Sequence, residues 1–340
     1  IKPWLDRIKA IATRDDFATA VGEAGRNGVA DVPFGLYVDQ DAKQPTRYTA
    51  NIVQGGLGMP DRDYYLSTDA SMVQTRGAYE KHLATMLTLA GEGNTAARAK
   101  AIVSLETEIA KAHWTQVESR DADKTYNKRM LADLQRDATG FDFARFFAAS
   151  HIPTGESFNV AQPSAVSGIA AALGKADLGV LRDLLLVRSL DGFAPKLPRT
   201  FVDENFAFFG TTLSGTPQIQ PRWKRAVTFT TEVLGEELGK VYVARYFPPE
   251  TKRKADELVR NVIAAMDRRL EALTWMAPET KAKARAKLAA FTPKIGFPSK
   301  WRDYSALSVE PDDLVGNAIR AANFEHDRQV AKLGKPIDRT

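Results

Sequence analysis

The 340-residue sequence contains no cysteine, which rules out disulfide cross-links, thiolate-held metals and thiol nucleophiles together. Histidine is almost as scarce. Only His82, His113, His151 and His326 occur, and the closest two are 31 positions apart. A helical zinc site of the His-Glu-x-x-His kind needs two imidazoles at i and i+4, so that both reach one ion from one face. No pair here has that spacing. His113-Trp114 and Glu325-His326-Asp327 are the only histidines with polar or aromatic company, and side-chain pairing along a helix accounts for both. There is no Gly-x-Ser-x-Gly elbow. Carboxylates are many, but nothing pairs two of them in an apolar setting for acid–base work. No apolar run approaches the ~18 residues that span a bilayer. Residue chemistry alone therefore gives this stretch no catalytic machinery.

What is present is ordinary globular material. Apolar residues make up 44% and charged residues 26%, enough to build a substantial core and too balanced for a disordered chain. The 47 basic and 42 acidic residues are interspersed, so the net +5 forms no stripe of the sort that tracks nucleic acid. The densest basic run, Lys281 to Lys287, reads as the solvated face of a helix. There is no internal repeat and no low-complexity tract. The sequence begins at Ile1 without Met or a signal-like segment, and reads as a trimmed piece of something longer.

Periodicity gives a mostly α-helical chain with one small β-hairpin. Trp4, Leu5, Ile8, Ile11 and Ala12 recur at helical spacing, and a second helix covers about Asp16 to Gly25. The period then changes to two: Phe34, Leu36 and Val38 alternate, as do Tyr48, Ala50 and Ile52, with turn formers between. This is the one convincing strand signal. From Ser71 onward nearly everything is helical. A stripe from Tyr79 to Ala90 stops at Gly91, and another runs from Ile102 to Ala112. Phe141, Phe143, Phe146 and Phe147 form a core cluster. One helix lies between Val160 and Ala176, and Leu178 to Leu190 is ended by Asp191-Gly192. Two long helices follow, about Trp223 to Tyr246 and Thr251 to Trp275, then one from Pro278 and a last from about Pro311 to Leu333. No sharp domain boundary is visible, so the chain is taken as one helical lobe.

The hairpin leads into Gln54-Gly55-Gly56-Leu57-Gly58-Met59-Pro60-Asp61-Arg62-Asp63-Tyr64-Tyr65-Leu66. Three glycines and a proline so close cannot sit inside a helix or central strand, so they make a constrained turn. Arg62 between Asp61 and Asp63 is placed to lock it through charge-assisted hydrogen bonds. Tyr64 and Tyr65 bring two rings to whatever packs on it. Gly56-x-Gly58 lacks the strand–glycine–helix setting of a phosphate loop. Gly55, Gly56, Gly58, Pro60, Asp61, Arg62, Asp63, Tyr64 and Tyr65 are accordingly read as a structural signature.

That signature resembles one in the non-catalytic region of the neprilysin and endothelin-converting-enzyme family of zinc endopeptidases, and the likeness extends along most of the chain. Val38-Asp39 with Arg47-Tyr48, Glu118-Ser119-Arg120-Asp121 with Tyr126-Asn127, and Arg222-Trp223-Lys224 resemble family segments in order. So do Leu238-Gly239, Tyr242-Val243 and Tyr246-Phe247. The most specific are Leu273-Thr274-Trp275-Met276 with Glu279-Thr280-Lys281, Lys294-Ile295-Gly296-Phe297-Pro298, Trp301 with Asp303-Tyr304, and Lys332 to Asp338. The resemblance implies a helical lobe, incomplete at both ends, that closes over a catalytic lobe and encloses a peptide-sized cavity. In the family the Asn-Ala-Tyr-Tyr strand and the zinc-binding His-Glu-x-x-His helix come next, so the sequence is expected to stop just before them. Zinc is then implied for the complete enzyme, polarising the scissile carbonyl beside a glutamate base, with none held by this chain. Implied partners are the C-terminal catalytic lobe, in the same polypeptide or a second chain, and peptide substrates. Nucleic acid and a transmembrane segment are not expected. The implied location is extracytoplasmic, periplasmic or secreted. Arg120, Asp121, Tyr126 and Asn127 are candidates for the substrate cavity, and residues 294–340 for the connector to the catalytic lobe. The alternatives are a helical binding or scaffold protein without a catalytic partner and, ranked last, nucleic-acid binding through Lys281 to Lys294.

Overall fold

A computed structural model describes residues 1–29 and 32–338, with fourteen α-helices and four short strands among them. The described residues divide into two compact units, one of residues 1–219 with 307–337 and one of residues 220–306 with 338, where periodicity alone drew no internal boundary.

The first unit carries the core. α1 (Lys2–Lys9) buries Trp4 and Ile8, and α2 (Arg14–Arg26) starts at a capping box in which Thr13 and Asp16 satisfy each other's backbone amides. The hairpin is as the alternation indicates: β1 (Phe34–Gln40) runs antiparallel to β2 (Tyr48–Gln54), with Phe34 opposite Gln54. After the short α3 (Asp63–Leu66) come α4 (Ala70–Leu89) and α5 (Thr95–Ala112). α4 stops where Gly91 adopts φ +80°, letting the amides of Gly91 and Glu92 close back on the last carbonyls. β3 (Lys128–Arg129), α6 (Leu131–Asp137), α7 (Phe143–Ala149), β4 (Phe158–Val160), α8 (Pro163–Lys175), α9 (Leu178–Phe193) and α10 (Arg199–Asn205) follow, with a π-helical turn over Phe206–Leu213.

The sheet is larger than the alternation shows. Its order is β1-β2-β4-β3, with β4 parallel to β2 and antiparallel to β3. Strands of two and three residues are too short to display a period, and their pairing is fixed by partners far along the chain. Phe34 of β1 and Phe158 of β4 join Phe141, Phe143, Phe146 and Phe147 in one aromatic cluster, with neighbouring rings 4.7–6.2 Å apart. Burying each ring but the partly exposed Phe141 is worth ~1.5–3 kcal/mol, and the edge-to-face pairs add ~0.5–1.5 kcal/mol each. α9 runs through Asp191-Gly192 to Phe193, past the stop that these turn formers suggest. Leu190 and Phe193 are both buried, so continuing the helix gains more than the glycine costs.

The second unit contains α11 (Arg222–Tyr246), bent at Leu234, α12 (Pro249–Ala272) and α13 (Pro278–Ala289). Residues 291–306 form an irregular connector, in which Trp301 stacks on Phe297 at 5.9 Å and Phe297 packs edge-on against Phe247. The chain then rejoins the first unit through α14 (Leu314–Val330). Beyond it, Pro336 bridges to Arg47, and the amide of Ile337 donates to the Thr46 carbonyl, tying the segment to the hairpin loop. Residues 339 and 340, the end of the expected connector, lie outside the described residues. Among the described residues no single helix is long and apolar enough to cross a membrane.

Candidate functional site

The glycine turn is built on a buried charge. Gly56 takes φ +88°, which a residue with a side chain enters only at a cost, and the backbone then passes close over α4 and α5. Tyr65 is buried beneath it, and its hydroxyl accepts from the amides of Gly58 and Met59 at 2.9 and 3.0 Å. The same hydroxyl donates to Glu106 Oε2 at 2.8 Å, and Tyr79 donates to Glu106 Oε1 at 3.1 Å. Arg188 Nη2 stands 3.0 Å from that carboxylate. Glu106 is wholly buried, and burial pushes its carboxyl above the usual range against the pull of Arg188 and the two hydroxyls. Burial, with Glu106 alongside, pushes the hydroxyls of Tyr65 and Tyr79 well above their ordinary values, so both remain donors. Gly58 has no room for a side chain: a methyl there would lie 1.7 Å from Tyr79 Oη and 2.7 Å from Arg188 Nη1.

Arg62 does not lock the turn by pairing with its flanking aspartates. Its Nη1 donates to the His113 carbonyl at 2.9 Å, a C-terminal carbonyl that α5 leaves open. Asp61 is engaged elsewhere, accepting from the Asp63 amide at 2.8 Å and from Gln116 at 2.8 Å. Tyr64 is half-buried, and its carbonyl accepts from Arg76 at 3.0 Å. His113 Nε2 donates to the Gly55 carbonyl at 2.8 Å, and Gln54 makes a reciprocal pair with the backbone of Trp114. The signature thus clasps the end of α5, and the arrangement positions backbone without presenting a reactive group.

Arg120, Asp121, Tyr126 and Asn127 follow the end of α5 and lead into the sheet. Arg120 is exposed, and its guanidinium has no hydrogen bond or ion pair among the described residues. Asp121 Oδ1 holds the amides of Asp123 and Lys124 at 3.1 and 3.2 Å, an Asx turn. Tyr126 donates to Asp41 Oδ1 at 2.9 Å, and the Asn127 amide donates to Asn159 Oδ1 at 2.7 Å, securing β3 to β4. Asp41 is buried. Desolvation works against its charge, but Lys128 Nζ at 2.9 Å, the amides of Lys43 and Gln44 and the Tyr126 hydroxyl hold its carboxyl down to about 2. Beside it opens a cleft of about 260 Å³, with Asp41, Arg47, Thr49, Lys128 and Glu156 on its walls. None of the four candidates lines that cleft, although Tyr126 braces its floor through Asp41.

The histidines do not converge. His82 is sandwiched between carboxylates, with Nε2 3.0 Å from Asp191 and Nδ1 3.0 Å from Glu204, and its ring stacks on Phe208. Burial opposes its charge, but the hydrogen bonds and charges of Asp191 and Glu204 outweigh it and raise its pKa. His326 Nε2 contacts the Ser150 carbonyl, and His151 lies 3.6 Å from Asp327. Both nitrogens of His82 are occupied, and no group of three or more metal-ligating side chains occurs among the described residues. These residues do not fit a zinc ion. Composition missed Glu106 and Arg188, yet a sequence signal existed. Glu106 stands on the apolar stripe of Ile102 and Ile109, and Arg188 follows Leu184-Leu185-Leu186-Val187.

Residues 1–298 match the profile of Peptidase family M13. Endothelin-converting enzyme 1 of Homo sapiens is 29% identical over 329 residues, covering 90% of this chain and 41% of that protein. Neprilysin-11 of Caenorhabditis elegans is 27% identical, over 96% of this chain and 41% of that protein. Among solved structures, the Mycobacterium tuberculosis zinc metalloprotease Zmp1 in complex with an inhibitor superposes with a TM-score of 0.91 at 38% identity, over 99% of this chain and 51% of that one. The chain spans about half the length of the relatives it matches, or less.

Proposed function

We propose a function from one premise: the chain belongs to Peptidase family M13. It forms the helical, non-catalytic lobe of a neprilysin-like zinc metalloendopeptidase, capping the cavity in which peptides are hydrolysed. The observation that carries the reading is the match to the M13 profile over residues 1–298. Zinc and the groups that act with it would come from the rest of the polypeptide, because the described residues of this chain bring no three metal-ligating side chains together. The chain's own contribution is shape: the clasp on α5 and the buried Glu106–Arg188 pair make a stiff wall, which an enclosing cavity requires. Arg120, exposed and unpaired among the described residues, would face peptide from that wall. Asp121, Tyr126 and Asn127 would hold its loop. The location that goes with this role is extracytoplasmic.

The test is the full-length protein. It should hold stoichiometric zinc and hydrolyse short peptides in a chelator-sensitive way while sparing folded proteins, whereas the 340-residue chain should do neither. A full-length protein with no zinc and no peptide hydrolysis would refute the reading and favour a helical scaffold.

A further inference from the structure

The cleft beside Asp41 is assembled from segments far apart in sequence: the hairpin loop and the start of β2, β3, the loop before β4, and the turn after α14. It holds about 260 Å³, room for a small molecule. Two ion pairs stand on its walls, and they differ in what they leave open. Asp41 is saturated. Its Oδ1 accepts from the amides of Lys43 and Gln44 and from the Tyr126 hydroxyl, at 2.9 Å each, and its Oδ2 accepts from Lys128 at 2.9 Å. Lys128 Nζ gives a second proton to Thr49 Oγ1 at 2.6 Å, and its third has no partner among the described residues. Arg47 has five N–H groups on its guanidinium and uses one of them, on Glu156 at 3.1 Å. The Arg47 and Glu156 side chains are 50% and 72% exposed, so that pair is weak and readily exchanged.

The open cationic donors call for an anion, and the planar fork of Arg47 matches a carboxylate. Beside them Tyr48, Pro153, Phe158 and Leu333 form an apolar wall, which a bare inorganic ion would leave uncovered. We propose that the cleft binds a small organic carboxylate with an apolar tail, the carboxylate held by Arg47 and Lys128 and the tail by that wall. The ligand takes the place of Glu156 on Arg47. Because it spans the hairpin loop and the turn after α14, it also reinforces the contacts that Pro336 and Ile337 make with Arg47 and Thr46. The site lies wholly within the first unit and stands whether or not the full-length protein is a peptidase.

Titration calorimetry of the full-length protein with N-acetyl-leucine tests the assignment. The dissociation constant should be roughly 1 mM or tighter. N-acetyl-leucinamide keeps the tail and lacks the charge, and should bind roughly tenfold or more weakly. Arg47→Met should weaken N-acetyl-leucine by a similar factor, whereas Glu156→Gln, which frees Arg47, should bind it at least as tightly as wild type. Arg136→Ala, an exposed charge removed from α6, should change nothing. With ligand present, amides of residues 41–50 and 331–337 should exchange more slowly with solvent. Absence of binding would overturn the proposal. So would binding that survives Arg47→Met, which would place the carboxylate at another site of the full-length protein. Inorganic phosphate binding as tightly as N-acetyl-leucine would also overturn it, since a plain basic patch needs no apolar wall.

Discussion

Replacing Glu106 with alanine should be among the most damaging single changes in the first unit. Its carboxylate is wholly buried and is met by Tyr65 at 2.8 Å, Tyr79 at 3.1 Å and Arg188 at 3.0 Å. Removing one partner of a buried ion pair costs ~3–5 kcal/mol, because the remaining charge stays desolvated without compensation. Each stranded hydroxyl adds about 1 kcal/mol, although Tyr65 still accepts from Gly58 and Met59. The losses share partners and do not add fully, so the expected total is about 4–6 kcal/mol. For a unit of this size that lowers the melting temperature by roughly 10–20 °C. Arg188→Met alone should cost ~3–5 kcal/mol by the same logic. The decisive variant carries Glu106→Leu with Arg188→Met, which removes both charges and keeps the volume. It should be at least ~2 kcal/mol more stable than the summed losses of Glu106→Leu and Arg188→Met measured singly. Denaturant unfolding, followed by near-ultraviolet circular dichroism of the buried tyrosines, measures all of these. Single costs below ~0.5 kcal/mol, or a double variant equal to the sum, would refute the buried-pair account.

Two further outcomes follow from the same region. Gly58→Ala should destabilise by roughly 2 kcal/mol or more, since its methyl would lie 1.7 Å from Tyr79 Oη and the turn cannot retreat without releasing Tyr65; a Gly58→Ala variant that melts with wild type would show the turn to be pliant. His82 has a folded pKa raised above its unfolded value, because Asp191 and Glu204 outweigh the opposing burial beside Tyr79. Its contribution is therefore fully present below about pH 6.5 and lost as pH rises through the folded value. Wild type should lose stability over that window and His82→Gln should lose less; parallel profiles would refute the charged assignment.

Much of this was legible in residue order. Helical stripes located the long helices because an amphipathic period survives wherever one face packs, and Gly91 marked a stop because its φ of +80° favours glycine. The alternation of β1 and β2 gave the hairpin, and the glycine signature gave both the turn and the resemblance. Tertiary structure alone decided the rest. Which partner Arg62 takes depends on where the end of α5 lands, and β3 and β4 exist only because segments 32 residues apart (Asn127 and Asn159) are brought together. Glu106 and Arg188 look like surface charges until helices 82 positions apart place them face to face. The two-unit division depended on the fold as well. The stripes of α11 and α12 have the same period as those of α4 and α5, and sequence cannot tell a covered apolar face from a bare one. Burial is a property of what lies opposite.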